Sequence, residues 1–263
     1  MQGSIDYDEQ GSGPTILLVP GSCSTGAAWR PVIAALGDRF RTVTTSLPGC
    51  GGTIENRSSG HCSIADVADV LEAVIRRAGA RVHLVGHSFG GLAALAAARR
   101  AHLPVASLTV LEAPAAEALR TAGEPEHYRA FRDMTDAYFA AFAAGDQEAV
   151  AGMIDFYGGP GTFAAWPQKV RGYAIATTAA NILDWACAYG FALSPSSLAG
   201  VKLPTLIAWG GASHPAAQRA NQVLASYLAG ASTATISDAT HFMIATHAKE
   251  VAAIIADHVG RAG

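Results

Sequence analysis

The chain has 263 residues, 50% of them hydrophobic and only 15% charged, with a formal net charge of −3. That balance excludes a disordered chain, and with no basic run it leaves no electrostatic footprint for nucleic acid. No apolar run reaches the roughly eighteen residues of a bilayer span, and the first four residues lack the basic and apolar regions of a secretory leader, so a cytoplasmic protein is expected. In chain order, residues 5–8 read as a short strand with alternating faces and 11–14 as a turn. Thr15–Val19 is a continuous apolar run, the mark of a strand buried on both faces. After a loop over 20–26, residues 29–36 carry helical spacing and stop at Gly37. Residues 41–45 form a strand and 48–52 a glycine-rich loop. Ser63 caps a helix to about Ala78, in which Ile64, Val67, Leu71 and Ile75 recur at helical spacing. A buried strand over 82–85, an alanine-rich helix over 89–100 and the strand Val105–Leu111 follow.

From Ala113 to Gly200 no strand is legible, and helical stretches at 130–144, 150–156 and 173–189 are separated by glycine and proline. Alternation resumes with a strand over 205–209, a helix over about 216–228, a strand over 233–236 and a last helix over about 247–259. Strands alternating with helices imply a mostly parallel sheet covered on both faces. Residues 1–112 and 201–263 are therefore expected to form an α/β core, with 113–200 inserted as a helical cap, or lid. Low charge and abundant alanine imply helices packed closely on that sheet. Cys23, Cys50, Cys62 and Cys187 have no CxxC or CxxH spacing and are expected to be reduced; a Cys50–Cys62 bridge is the alternative.

The strongest local signal is Val85-Gly86-His87-Ser88-Phe89-Gly90-Gly91. It fits G-x-S-x-G between a buried strand and a helix, the context that the motif requires. A sharp strand-to-helix turn forces its central residue into a strained conformation, and glycines two positions either side remove the clash. The serine oxygen is then lifted to a helix N-terminus, where free N–H groups favour developing negative charge. The competing reading is a glycine-rich helix start with an ordinary N-cap serine.

With this motif and the order of elements around it, the chain resembles the α/β-hydrolase fold superfamily from Ile5 to Val259. The resemblance implies an eight-stranded, mostly parallel sheet with helices on both faces and a helical cap. It also implies an oxyanion loop after the first long buried strand. Relatives often carry His-Gly-X there; this chain has Pro20-Gly21-Ser22-Cys23. By position, the backbone N–H groups of Ser22 and Phe89 are the expected oxyanion donors, each contributing roughly 3–4 kcal/mol to transition-state binding.

A serine hydroxyl needs a base. His241, in Asp238-Ala239-Thr240-His241-Phe242-Met243 between the last strand and last helix, resembles the family's histidine loop. His214 is its rival, while His87 is expected to point away from the site. The acid departs from the common pattern. Many relatives have Gly-x-x-Asp after the penultimate strand, whereas Gly210-Gly211-Ala212-Ser213 puts Ser213 at the acidic position. Glu112, ending the strand after the nucleophile strand, is the expected substitute, as in one class of haloalkane dehalogenases. The order Ser88, Glu112, His241 also fits nucleophile, acid, base. Alternatives are a structural role for Glu112, Asp238 as acid, or a dyad with none; Asp184 lies in the lid.

The chemistry implied is acyl transfer on an ester-like bond of a small, largely apolar substrate, in the manner of a carboxylesterase. Expected substrate contacts are Cys23 and His87 from the core and Phe139, Phe142, Trp166 and Trp185 from the aromatic-rich lid. No metal is expected, because no histidine or carboxylate pair has ligand spacing. No cofactor is expected, since the 48–52 loop lacks the P-loop lysine. A small-molecule substrate is the only partner expected, with no nucleic acid or membrane, on a monomer or homodimer. Rival readings on the same fold are a lactonase, thioesterase, carbon–carbon hydrolase, hydroxynitrile lyase, cofactor-free peroxidase or biosynthetic tailoring enzyme. A non-catalytic small-molecule receptor is the other alternative. Epoxide hydrolase and dehalogenase chemistry is disfavoured, since those relatives need aspartate where Ser88 stands.

Overall fold

The structure is a computed structural model that describes residues 4–262. The first three residues, read above for a leader, lie outside the described residues. Seven strands make one sheet in the order β1-β3-β2-β4-β5-β6-β7. They are β1 Asp8–Gln10, β2 Thr15–Val19, β3 Arg41–Thr44, β4 Val82–His87, β5 Val105–Leu111, β6 Thr205–Gly210 and β7 Ser232–Ile236. β1 runs antiparallel to β3, and every other pairing is parallel. The expected eighth strand is not among the described residues. The segment before β1 is engaged elsewhere: Ile54 N donates to Ser4 O, Asp6 N to Thr53 Oγ1, and Thr45 Oγ1 to Asp6 O. These bonds tie it to the 45–54 loop and shift the first strand from 5–8 to Asp8–Gln10.

Alternation along the strands divides the core. Ile16, Leu18, Val85, Leu111 and Ala208 face helices α1 (Arg30–Leu36) and, at the far end of the chain, α13 (Ala248–Ala262). Leu17, Val19, Leu84, Val110 and Ile207 belong to the opposite face, which packs on α2 (Ile64–Ala78) and α3 (Phe89–Ala98). Ser63 starts α2 with a capping box, accepting from Ala65 N at 3.1 Å while Asp66 accepts from Ser63 N at 2.9 Å, a device worth about 1 kcal/mol. Every residue of α3 is buried. Its small side chains let it lie against the sheet: a Cβ on Gly91 would stand 3.0 Å from Val110 Cγ1.

Between β5 and β6 the described residues hold seven helices and no strand. They are α4 (Ala116–Ala122), α5 (Pro125–Ala143), α6 (Val150–Gly158), α7 (Thr162–Ala165), α8 (Gln168–Ala176), α9 (Thr178–Gly190) and α10 (Pro195–Leu198). After β6, α11 (Pro215–Ser226) covers the α2–α3 face, and a short α12 (Met243–Thr246) precedes α13. The four cysteines are free. No helix among the described residues is long and apolar enough to cross a membrane.

This topology gathers chemistry at one end of the sheet. The carboxyl ends of β2, β4, β5, β6 and β7 lead into Pro20, Ser88, Glu112, Gly211 and Ser237, the crevice where open α/β sheets hold ligands.

Candidate active site

Ser88 stands between β4 and α3 with φ 55° and ψ −131°, a region that side chains other than glycine rarely enter. Its neighbours explain how the chain tolerates it. A Cβ on Gly86 would overlap the Gly90 carbonyl oxygen, and one on Gly90 would overlap the Pro20 carbonyl oxygen. Both positions are therefore restricted to glycine. Ser88 N donates to Leu111 O at 2.9 Å, which pins the turn to the end of β5. Phe89 opens α3, so its N–H has no partner within the helix.

Glu112 is wholly buried at the end of β5, also with positive φ (45°). Its Oε1 lies 2.9 Å from His241 Nδ1. Its Oε2 accepts from Ser213 Oγ at 2.6 Å and from Gly210 N at 2.9 Å. Ser213 thus occupies the position where an acid was sought and serves the carboxylate from there. A carboxylate accepting at Nδ1 leaves the Nε2 lone pair of His241 free to take a proton. No hydrogen bond joins Ser88 Oγ to that ring among the described residues, although both residues line one cavity; such contacts commonly tighten only with substrate bound.

His241 is held from several directions. Tyr157 stacks on its ring at 4.0 Å between centroids, His87 lies at 4.7 Å, and Phe242 meets it edge-on at 5.4 Å. Contrary to expectation, His87 turns toward the site: its Nε2 donates to His241 O at 2.8 Å. Burial, reinforced by His241, holds the His87 imidazole down to about 3, so the ring is neutral. The Tyr157 hydroxyl is buried without a hydrogen-bond partner among the described residues, and burial pushes its phenol well above the ordinary value. His214 does not join the site. Its Nδ1 accepts from Ala216 N at 3.2 Å, capping α11, and its ring stacks on Phe156. Asp238 is exposed.

The Pro20–Cys23 stretch passes directly over Ser88. A Cβ on Gly21 would lie 2.8 Å from Ser88 Cβ and 3.4 Å from its Oγ. Ser24 Oγ donates to Gly21 O at 2.8 Å and closes this loop. Cys23 has φ 56°. The three non-glycine residues with positive φ among those described are Cys23, Ser88 and Glu112, and all three belong to this constellation. Backbone strain of this kind costs about 1–3 kcal/mol per residue and collects where function requires it.

The cavity at Ser88 and His241 has a volume of about 440 Å³, within the roughly 300–1,000 Å³ of small-molecule sites. Of the residues named above as candidate substrate contacts, Cys23, His87, Trp166 and Trp185 line it, while Phe139 and Phe142 do not. On α5 the inward stripe is Phe131, Thr135 and Tyr138. Phe139 falls beside that stripe, half-buried against Tyr138. Phe142 continues it into the last turn, where it is 40% exposed next to an exposed run. Wall residues not anticipated as such include Met153, Tyr157, Asn181, Asp184 and Phe242. Tyr157 had a signal in the aromatic content of the block, whereas the two polar residues had none. Among the described residues no lysine or arginine lines the cavity. A larger groove of about 640 Å³ between β1 and α1 contains none of the constellation. No group of three metal-ligating side chains gathers among the described residues.

The sequence profile of the alpha/beta hydrolase family matches residues 16–254. A pimeloyl-[acyl-carrier protein] methyl ester esterase from Methylococcus capsulatus is 41% identical over 105 residues, covering 40% of this chain and 39% of that one. A second esterase of that name, from Vibrio vulnificus, is 30% identical over 142 residues, 53% of either chain. The chain thus spans between about a third and about a half of the length of such curated relatives. Among solved structures, an alpha/beta hydrolase from Sphaerobacter thermophilus superposes with a TM-score of 0.70 at 24% identity, covering 94% of this chain and 95% of its own. That likeness concerns the fold alone.

Proposed function

The chain belongs to the alpha/beta hydrolase family, and from that membership we propose that it is a carboxylesterase-like serine hydrolase of small, largely apolar, uncharged esters. His241 Nε2 takes the proton of Ser88 Oγ as that oxygen attacks the ester carbonyl carbon. The carbonyl electron pair moves onto oxygen, which the N–H groups of Ser22 and Phe89 receive. Glu112 orients His241 and stabilises its charged form. His241 then protonates the departing alkoxide, leaving an acyl ester on Ser88. A water gives its proton to His241, attacks that ester and releases the acid, and the proton returns to Ser88.

The observation that carries this reading is the 2.9 Å contact from His241 Nδ1 to Glu112, with a strained Ser88 on the same cavity. The methyl ester esterases among its relatives favour a carboxylic ester among the reactions open to the fold. Residues 113–200 serve as the cap, since Met153, Tyr157, Trp166 and Trp185 contribute to the cavity wall. Among the described residues the wall holds no lysine or arginine, and Arg57 behind it is already paired with Asp184 and Glu55, so an anionic acyl chain finds nothing to pair with.

The test compares the p-nitrophenyl ester of butyric acid with one whose acyl chain ends in a carboxylate. The neutral ester is expected to show a kcat/KM at least about tenfold higher, roughly 1.4 kcal/mol of transition-state discrimination. Ser88→Ala abolishes both turnover and labelling by a fluorophosphonate probe. Turnover or labelling that persists in Ser88→Ala overturns the reading.

A further inference from the structure

One wall of the cavity carries a buried polar chain that the acyl-transfer scheme leaves unused. Asp184, on α9, is 2% exposed. Its Oδ2 accepts a hydrogen bond from Ser22 Oγ at 2.5 Å, the short end of the range for a hydroxyl on a carboxylate. Its Oδ1 lies 2.8 Å from Arg57 Nη1. Arg57, itself 7% exposed, is gripped further by Glu55, whose two carboxylate oxygens accept from Nε at 2.9 Å and Nη2 at 2.7 Å. Three separate stretches meet here: the loop after β2, the loop before α2, and a helix of the inserted block.

Packing does not require such an arrangement. Removing two charges from water costs more than their attraction commonly returns, and apolar residues fill the same space at least as stably. Burial pushes the Asp184 carboxyl up to about 6, against the pull of Arg57 and Ser22. What the chain does secure is the direction of one short loop. Ser22 lies between Gly21, whose carbonyl is fixed by Ser24 Oγ, and Cys23, whose backbone is in the left-handed region. Among the described residues no other hydrogen bond holds the Ser22 side chain.

We infer that Asp184 is a positioning residue: through Ser22 Oγ it holds the Ser22 peptide so that its N–H meets the developing oxyanion, and Arg57 fixes Asp184 in turn. The inference rests on the acyl-transfer reading, because only there does the Ser22 N–H have this duty. It makes the oxyanion site depend on the seating of α9. The site is complete only when the inserted block is docked.

The test is steady-state kinetics on p-nitrophenyl butyrate with Ser22→Ala, Asp184→Ala and the double variant. Ser22→Ala removes the link and leaves the Asp184–Arg57 pair intact. It is expected to lower kcat about tenfold or more while KM stays within about twofold, the pattern of an interaction made mainly in the transition state. Asp184→Ala, which leaves Ser22 Oγ no acceptor there, reproduces that loss. The double variant is no slower than the worse single one, because both remove the same link. Wild-type kcat in Ser22→Ala, or losses that multiply in the double variant, overturn the inference. If Asp184→Ala fails to fold, kcat and KM of Ser22→Ala decide alone. Ser88→Ala separates the two levels. If it abolishes turnover while Ser22→Ala does not slow it, the positioning role falls and acyl transfer stands. If Ser88→Ala still turns over, acyl transfer itself falls.

Discussion

His87 is buried, and its imidazole is held from the ordinary 6.5 down to about 3, first by burial and then by His241. The unfolded chain takes up a proton at this residue below 6.5, and the folded chain does not until about 3. Its contribution to stability is therefore complete above 6.5. It falls by about 1.4 kcal/mol per pH unit as the pH drops through that window. Asp184 works in the opposite sense. Its folded value of about 6 lies above the ordinary 3.8, so its contribution is present at low pH and is lost as the pH rises through about 6. His83, His214 and His258 are also held down by burial, so the slope of the intact protein sums several groups. The difference between wild type and His87→Gln isolates one. Urea unfolding between pH 4 and 6.5 is expected to show a shallower loss of stability in His87→Gln, and equal slopes contradict the account. Legibility at this scale varies with the range of the contact. Ser88 is recognisable because its glycines stand two residues away. Ser213 is not, because its partner Glu112 lies 101 residues distant, and no local pattern records which carboxylate a hydroxyl serves.

At the scale of elements, the β4–α3 turn is the part written most locally. Gly86 and Gly90 are needed because backbone oxygens occupy the space of a Cβ. Gly90→Ala is expected to lose more than about 2 kcal/mol, since the backbone at Val19 and Pro20 must move, and to lose turnover with those displaced carbonyls. Gly172 is the contrast. It lies inside α8 with open space around it, so Gly172→Ala is expected to stabilise by about 0.5–1 kcal/mol. Thermal or urea unfolding measures both, and equal effects contradict the steric argument. The helices on the sheet were legible from their spacing, with capping at Ser63 as read. The inserted block was less so. The run over 173–189 is two helices, because Thr177 and Thr178 turn their hydroxyls back to Tyr173 O and Ala174 O where α8 ends and α9 begins. Helix α4 escaped notice because an alanine-rich stretch has no contrast between its faces.

At the scale of the whole molecule, alternation of strand and helix was enough to read the parallel sheet and its carboxyl-end crevice. The edge was misjudged, because residues 4–7 bond to a loop and add no strand. Long-range polar pairing was out of reach: Ser22 and Asp184 are 162 residues apart, and Glu112 and His241 are 129 apart. Glu112 could be singled out all the same, as a carboxylate at a strand end next to the nucleophile strand, where one branch of the resembled family keeps its acid. Parallel topology brings residues 88, 112 and 241 to one crevice, where the proposed mechanism joins them as nucleophile, acid and base. The kcat of Glu112→Gln on p-nitrophenyl butyrate tests it most directly. Glutamine keeps the shape but can offer its amide N–H toward Nδ1, which favours the wrong tautomer of His241. A fall in kcat of about 10²–10⁴ is expected, in a protein that remains folded. A folded Glu112→Gln protein with near-wild-type kcat would contradict it.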